Sequence, residues 1–444
     1  MVLYLLNEKF GDDFLLFISL FLLIGFSGDV GDELRTILNL TAFGIAGILM
    51  LKGNFFTKRT HAGFPGTLTV FFIVILLSMV ISTLNSGYNV LGSGHTLRQF
   101  MFFVLLYFTY NIIREYKDIQ KIIDFFILIS VFVALTIIES FFSNITSVEK
   151  LITEVMVKEG GLFSNVAGPG ALIAIALIVM NYRIVSGQGI ILTNKNLNIF
   201  LTFILVLGLL LTNSRGAMLC AAAGSITYQL LMNRKRFGKI IVWSAGILVL
   251  SFLIFSGFFD VINLFFRTER VFENTRYTLW ELTWNMIERN VILGTGPGVP
   301  KIAWTQYTNV MFDTWTGDQV MWVFEKGGLG HSHNFLLFRW AELGLLGLFS
   351  TIWLYAYLPY KGLKLFNESR VNNNQELHLL AGLVIAVISG IFIRSIIEAT
   401  GILSHGWISR DFPFWIFILI LFRAGSLKTK TGNAGREDIG LSGY

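Results

Sequence analysis

Residues 64–84 read FPGTLTVFFIVILLSMVISTL, a run without a single charge. It has the length that one helix needs to cross the hydrocarbon of a bilayer, about 17–25 residues. Comparable runs lie on either side of it, near Phe14–Phe26, Thr36–Leu51, Leu97–Ile113, Ile119–Phe142, Val166–Val185, Leu197–Thr212, Ala217–Met232, Ile240–Phe258, Asn334–Tyr357, Leu377–Ile397 and Phe412–Phe422. They predict an all-α polytopic membrane protein of about 12 transmembrane helices. Composition agrees: 54% of residues are hydrophobic and only 14% charged, against about 25% charged in an ordinary soluble domain. So few polar groups cannot cover a water-soluble globule of this size.

The charges are placed unevenly. With both termini in the cytoplasm, most of the 34 Lys and Arg fall in short inner loops, such as Lys52, Lys58 and Arg59, or Arg234, Lys235, Arg236 and Lys239. That is the positive-inside pattern. The formal charge of +6 is thereby read as topology and attraction to anionic membrane lipids, with no nucleic acid as partner. Glu8, Lys9, Asp12 and Asp13 precede the first apolar run, so it reads as a retained span and not as a cleavable signal. The one cysteine, Cys220, lies in an apolar run; it permits no internal disulfide and reads as packing.

The expected division is transmembrane helices 1–9 over residues 1–256, an extracytoplasmic loop over 257–332, helices 10–12 over 333–423 and a flexible cytoplasmic tail over 424–444. In the loop, Thr278, Glu281, Asn285 and Glu288 recur at helical spacing opposite Trp280, Trp284, Ile287 and Val291. That is an amphipathic helix. The turn Gly294-Thr-Gly-Pro-Gly298 ends it.

Three polar clusters fall on the expected outer side. Arg215, in the turn Thr212-Asn-Ser-Arg-Gly216, is either a phosphate-binding fork or an arginine snorkelling to the interface. Arg276 opens the loop helix; it is either part of an anion site with the helix N–H groups or a solvated charge. His331 and His333, in His331-Ser-His-Asn334, offer a general base, a helix cap or a metal pair. No Cys/His/Asp set completes a metal site, so no metal is expected. Glu139, Arg339, Glu342, Arg394 and Glu398 fall in or near outer halves of spans, which points to a polar cavity opening outward. Arg339 with Glu342, and Arg394 with Glu398, have the spacing of self-paired helical neighbours. Arg98 is a weaker candidate for the same cavity.

In combination these residues resemble the O-antigen ligase and polymerase superfamily. The likeness is carried by Ser214-Arg215-Gly216 after a span, Arg276 with its Trp-rich helix and Gly-x-Gly-x-Gly turn, and His333-Asn334 leading to Glu342-Leu-Gly344 and Gly347. It covers roughly Phe163 to Phe349. At Asn165 the expected Asn-Pro-Asn reads Asn-Val-Ala. The resemblance implies a GT-C-like, metal-independent, inverting glycosyltransferase of the bacterial cytoplasmic membrane, without cofactor. Its donor would be a glycan on undecaprenyl diphosphate, and its acceptor a glycan or lipid A core. On that resemblance Arg215 and Arg276 match the arginines that hold the diphosphate, and His333 the acceptor-activating base. Arg98, His331, Asn334, Arg339, Glu342, Arg394 and Glu398 would be supporting residues. The rivals are a secondary transporter, disfavoured because the charges lie outward and not at the midplane, and a non-catalytic polysaccharide-assembly subunit.

Overall fold

The computed structural model describes residues 2–26, 32–56, 63–144, 160–163, 165–232, 275–308 and 332–437. Within them every regular element is helical. The helices are α1 Val2–Leu20, continued by a π turn over Phe21–Gly25, α2 Asp32–Phe56, α3 Gly66–Ser86, α4 Asn89–Ile112, α5 Tyr116–Asn144, α6 Ala167–Ser186, α7 Lys195–Leu211 and α8 Arg215–Met232. Then come α9 Thr275–Arg289, the single turns α10 Pro300–Ala303 and α11 Thr305–Thr308, α12 Phe335–Val371, α13 Gln375–Ser395 and α14 Ile408–Glu437. Eleven of the expected apolar runs lie on such helices; the run Ile240–Phe258 lies outside the described residues.

Six of the described helices are both long and apolar enough to cross a membrane: most of α2, then α3, α5, α6, α12 and α13. The chain is a multi-pass membrane protein. Helices such as α4 and α8 fall short of that measure because they carry polar residues, among them His95, Arg98, Gln99 and Arg215.

Asparagine side chains start several helices by accepting the first free N–H groups. Asn194 takes those of Asn196 and Leu197 before α7, Asn374 that of Leu377 before α13, and Asn334 that of Leu337 before α12. Small residues then let the helices close up. At Gly224 of α8 an added Cβ would lie 2.9 Å from the Ala386 carbonyl oxygen of α13, and at Gly390 of α13 one would lie 2.6 Å from that of Cys220. Cys220 is fully buried in this contact, in keeping with a packing role.

The axis of the bundle is α14. Phe412, Phe414, Trp415, Phe417 and Leu419 are completely buried, and α14 packs on α4, α6, α13 and the π turn. Peripheral helices instead turn apolar side chains outward, as at Val70 on α3 and Phe203 on α7. Two helices outrun expectation. α12 extends to Val371, well past Tyr357, as a polar extension bearing Lys361, Lys364, Glu368 and Arg370. α14 runs to Glu437, so the polar segment after Arg423 is helical to that point.

Candidate functional site

The polar end of the bundle is organised by a break in α12. At Gly344 the backbone takes φ 62 and ψ −151, a region open in practice only to glycine. The break strips the carbonyls of Ala341 and Glu342 of their helical donors, and an unpaired carbonyl at membrane depth is expensive. The Gly294–Gly298 turn fills the gap. The Ala341 oxygen accepts from Thr295 N at 2.8 Å and Thr295 Oγ1 at 3.0 Å; the Glu342 oxygen accepts from Gly296 N at 3.0 Å. Ser82 Oγ of α3 adds a 2.5 Å bond to the latter, and Leu345 N returns one to the Ile292 oxygen at 3.1 Å. A Cβ on Gly344 would lie 2.0 Å from the Ile292 oxygen, and one on Gly294 would lie 2.3 Å from that of Glu342. The two glycine motifs are halves of one joint.

The amphipathic helix expected from its periodicity is α9, and it is held beside that joint. Leu282, Met286 and Ile287 bury against Ala341 and Trp304, and Trp284 meets Trp340 edge-on at 5.7 Å. Arg276 lies in its first turn. The Arg276 side chain, His331 and most of the expected loop lie outside the described residues.

Arg215 is the first residue of α8 and is half-buried. It follows Asn213, whose φ of 46 is left-handed. His333 precedes the cap Asn334 and also has a left-handed backbone, φ 48. Its Nδ1 lies 3.4 Å from Glu398 Oε2, long for a hydrogen bond and within ion-pair reach. Asn334 Nδ2 donates to the Ile396 oxygen at 3.1 Å, which ties the His333 turn to the loop after α13. Arg394 joins the α8 end to the same loop. It donates to the Thr400 oxygen at 2.5 Å and the Ala167 oxygen at 3.1 Å, and Gly216 backs onto its stem. Arg215 and His333 are thus carried by segments that meet the same α13–α14 loop.

The expected self-pairing of helical neighbours needs correction. Glu342 does not take Arg339 as its partner: its Oε2 meets His405 Nε2 at 2.6 Å and its Oε1 accepts from Gly298 N at 2.8 Å. Those donors come from the loops that the α12 break admits, so they reach the carboxylate first. Arg339 is completely buried, and none of its three guanidinium nitrogens finds a hydrogen-bond partner among the described residues. Arg394 spends its donors on carbonyls, and Glu398 faces His333 and accepts from Thr400 Oγ1 at 3.2 Å. Arg98 donates from Nε to the His405 oxygen at 2.7 Å, and its Nη2 lies 2.8 Å from His95 Nδ1. Glu139 lies near the end of α5. Among the described residues no group of three or more His, Cys, Asp or Glu could hold a metal ion.

Several polar members of this end were not singled out from the sequence: His95, His405, Trp407, Arg410 and Asp411. The rings of His95 and His405 lie 4.6 Å apart. Asp411 is fully buried and accepts from Ser404 N at 2.5 Å and Ser404 Oγ at 2.8 Å. The signal was present: Glu398, His405, Arg410 and Asp411 crowd one short connection between two apolar runs.

Fold and site define the class: a multi-pass helical membrane protein with a basic, histidine-bearing polar end built on a broken helix. Residues 200–352 match the family model described as O-Antigen ligase, which supports membership of the O-antigen ligase and polymerase family. The matched stretch contains Arg215, Arg276, His333 and the Gly294–Gly298 joint with Glu342 and Gly344. No curated protein matches the chain.

Proposed function

We propose that this protein is a glycosyltransferase of surface-polysaccharide assembly that moves or polymerises a glycan from undecaprenyl diphosphate on the outer face of the cytoplasmic membrane. The observation that carries the reading is that His333 meets Glu398 of the α13–α14 loop while Arg394, at the end of α13, packs its stem against Gly216, the residue after Arg215, in a chain of which residues 200–352 match the O-Antigen ligase family model. Arg215 and Arg276 hold the donor diphosphate, whose negative charge grows as the glycosidic bond breaks. His333 takes the proton from the acceptor hydroxyl, and Glu398 steadies the imidazolium that results. Attack opposite the leaving diphosphate inverts the anomeric centre, and no metal is needed where guanidinium groups carry the charge. On this reading the chain has twelve spans with both termini in the cytoplasm and this end faces outward, which the Lys/Arg distribution supports.

Purified protein supplied with a lipid-linked glycan donor and candidate acceptors, without added metal, tests the reading. Transfer is expected. Arg215→Ala, Arg276→Ala and His333→Ala should each abolish surface glycan while the protein stays in the membrane; in the purified assay His333→Ala should slow transfer by roughly 10²- to 10⁴-fold. Normal surface glycan in cells carrying all three variants would refute the site. In a deletion strain, unpolymerised single repeats would mark a polymerase and long unattached lipid-linked chains a ligase.

A further inference from the structure

Three arginines from three helices converge on one indole at the polar end. The guanidinium carbons of Arg410, Arg35 and Arg98 lie 4.1, 5.3 and 5.6 Å from the centroid of the Trp407 ring. Arg410 opens α14, Arg35 lies in the first turn of α2 and Arg98 in the second half of the polar stretch of α4. Cation–π contact with one ring attracts each of them, and three cations gathered at one place set up a positive field that draws an anion. The carboxylate whose charge reaches both Arg98 and Arg410 is Asp411, and both of its oxygens are engaged by Ser404. Arg98 bonds neutral acceptors, the His405 carbonyl and the His95 ring. The Arg410 guanidinium makes no hydrogen bond to any described residue, and it is only half-buried.

The surroundings indicate what kind of anion fits. Leu34 and Ile37 flank Arg35, and Leu97 and Phe100 flank Arg98; all four are exposed apolar side chains. Leu97 and Phe100 also line a cavity of about 380 Å³ between α3 and α4, together with Leu76, Val80 and Leu84. A charged head beside an apolar trough calls for an amphiphile. Planar guanidinium forks match phosphate oxygens in pairs.

We propose that Arg35, Arg98 and Arg410 around Trp407 form an anion site for a phosphate carried on a membrane lipid, with the α3–α4 trough receiving apolar chain. On the glycan-transfer reading above, this is the acceptor's phosphate. Glu398, which faces His333, lies on the same α13–α14 connection that leads into Arg410, so an acceptor anchored here is held at the end of the bundle that carries the base while the donor diphosphate lies with Arg215.

The test measures binding, not turnover, so it stands whether or not glycan transfer is correct. Full-length protein in a neutral detergent is titrated by native mass spectrometry with phosphatidylglycerol, with polyprenyl diphosphate and with uncharged diacylglycerol. The first variant is Arg410→Gln, chosen because it breaks no hydrogen bond among described residues; Arg35→Gln is the second. Each is expected to weaken binding of the phosphate-bearing lipid about tenfold, as for loss of one charge-assisted bond. Trp407→Phe, which keeps a ring, should weaken it less, and Arg215→Ala should leave phosphatidylglycerol binding intact. Tighter binding of polyprenyl diphosphate would identify a substrate as the occupant; equal binding of phosphatidylglycerol would identify bulk lipid. Unchanged binding in both arginine variants, or diacylglycerol binding as well as phosphatidylglycerol, would overturn the site.

Discussion

Arg183 and Arg339 are both buried arginines in helices of one bundle, and the protein treats them in opposite ways. Arg183, at the end of α6, pairs with the fully buried Asp124 of α5 and donates to Gln120 Oε1 at 2.6 Å, the Gln120 carbonyl at 3.0 Å and the Gln188 carbonyl. Asp124 also accepts from Ile190 N and Ile191 N, each at 2.9 Å, so the pair pins the α6–α7 loop. Gln120 in turn donates to Tyr182 OH at 2.8 Å. At the other end, Arg339 has no hydrogen-bond partner among the described residues, and the carboxylates whose charge reaches it, Glu342 and Asp411, are engaged by His405, Gly298 and Ser404. A buried charge paired with a carboxylate and held by several carbonyls is scaffold. One without them marks a place where the resting fold is incomplete, and in membrane proteins such places go with function.

The contrast can be broken from either side. The largest effect is expected at the satisfied end: Asp124→Ala strands Arg183 and should destabilise the protein by about 3–5 kcal/mol, read as a collapse of the thermal unfolding midpoint in detergent. A mild effect there would mean that the Arg183 network is no anchor. Arg339→Met should do the reverse, because exchanging buried ionic groups for apolar ones of similar volume can gain about 1–4 kcal/mol. A raised midpoint together with reduced glycan transfer is the expected result, the usual exchange between stability and function; a lowered midpoint would show that Arg339 already has a partner.

Gly344→Ala comes next, since φ 62 with ψ −151 alone carries strain of about 1–3 kcal/mol for a residue with a Cβ. Faster hydrogen exchange at the Thr295 and Gly296 amides would report that the joint has opened, and unchanged protection would rule the joint out as the reason for glycine. The smallest effect is expected at the partly exposed Lys52–Asp12 pair, 2.8 Å apart. Lys52→Ala should cost less than about 1 kcal/mol, and the loss should fade in salt.

The same contrast explains what could be read beforehand. Apolar runs such as residues 64–84 announce their helices because lipid leaves the backbone little alternative, and α3 follows that run closely. The amphipathic spacing from Thr278 to Glu288 likewise gave α9. The two glycine motifs were visible separately, but not their joining, because hydrogen bonds between residues 292–298 and 341–345 leave no period in either segment. Self-pairing of Arg339 with Glu342 was the natural reading of an i, i+3 spacing; it fails because His405, 63 positions away, reaches the carboxylate. Left-handed backbone at Asn213, His333 and His405 was equally hidden: such strain is imposed by neighbours distant in the chain.

The burial of α14 has a consequence for how the molecule is made. Proteins are synthesised from the N-terminus, so the helices that surround Phe412–Leu421 enter the bilayer before their own axis exists. Until α14 arrives, the inward faces of α4, α6 and α13 have only lipid or one another to meet, and the His405–Glu342 bond that steadies the α12 break cannot form. Assembly therefore closes at its centre last, and a ribosome stalled before Ile408 would leave an open ring of helices exposed to quality-control proteases.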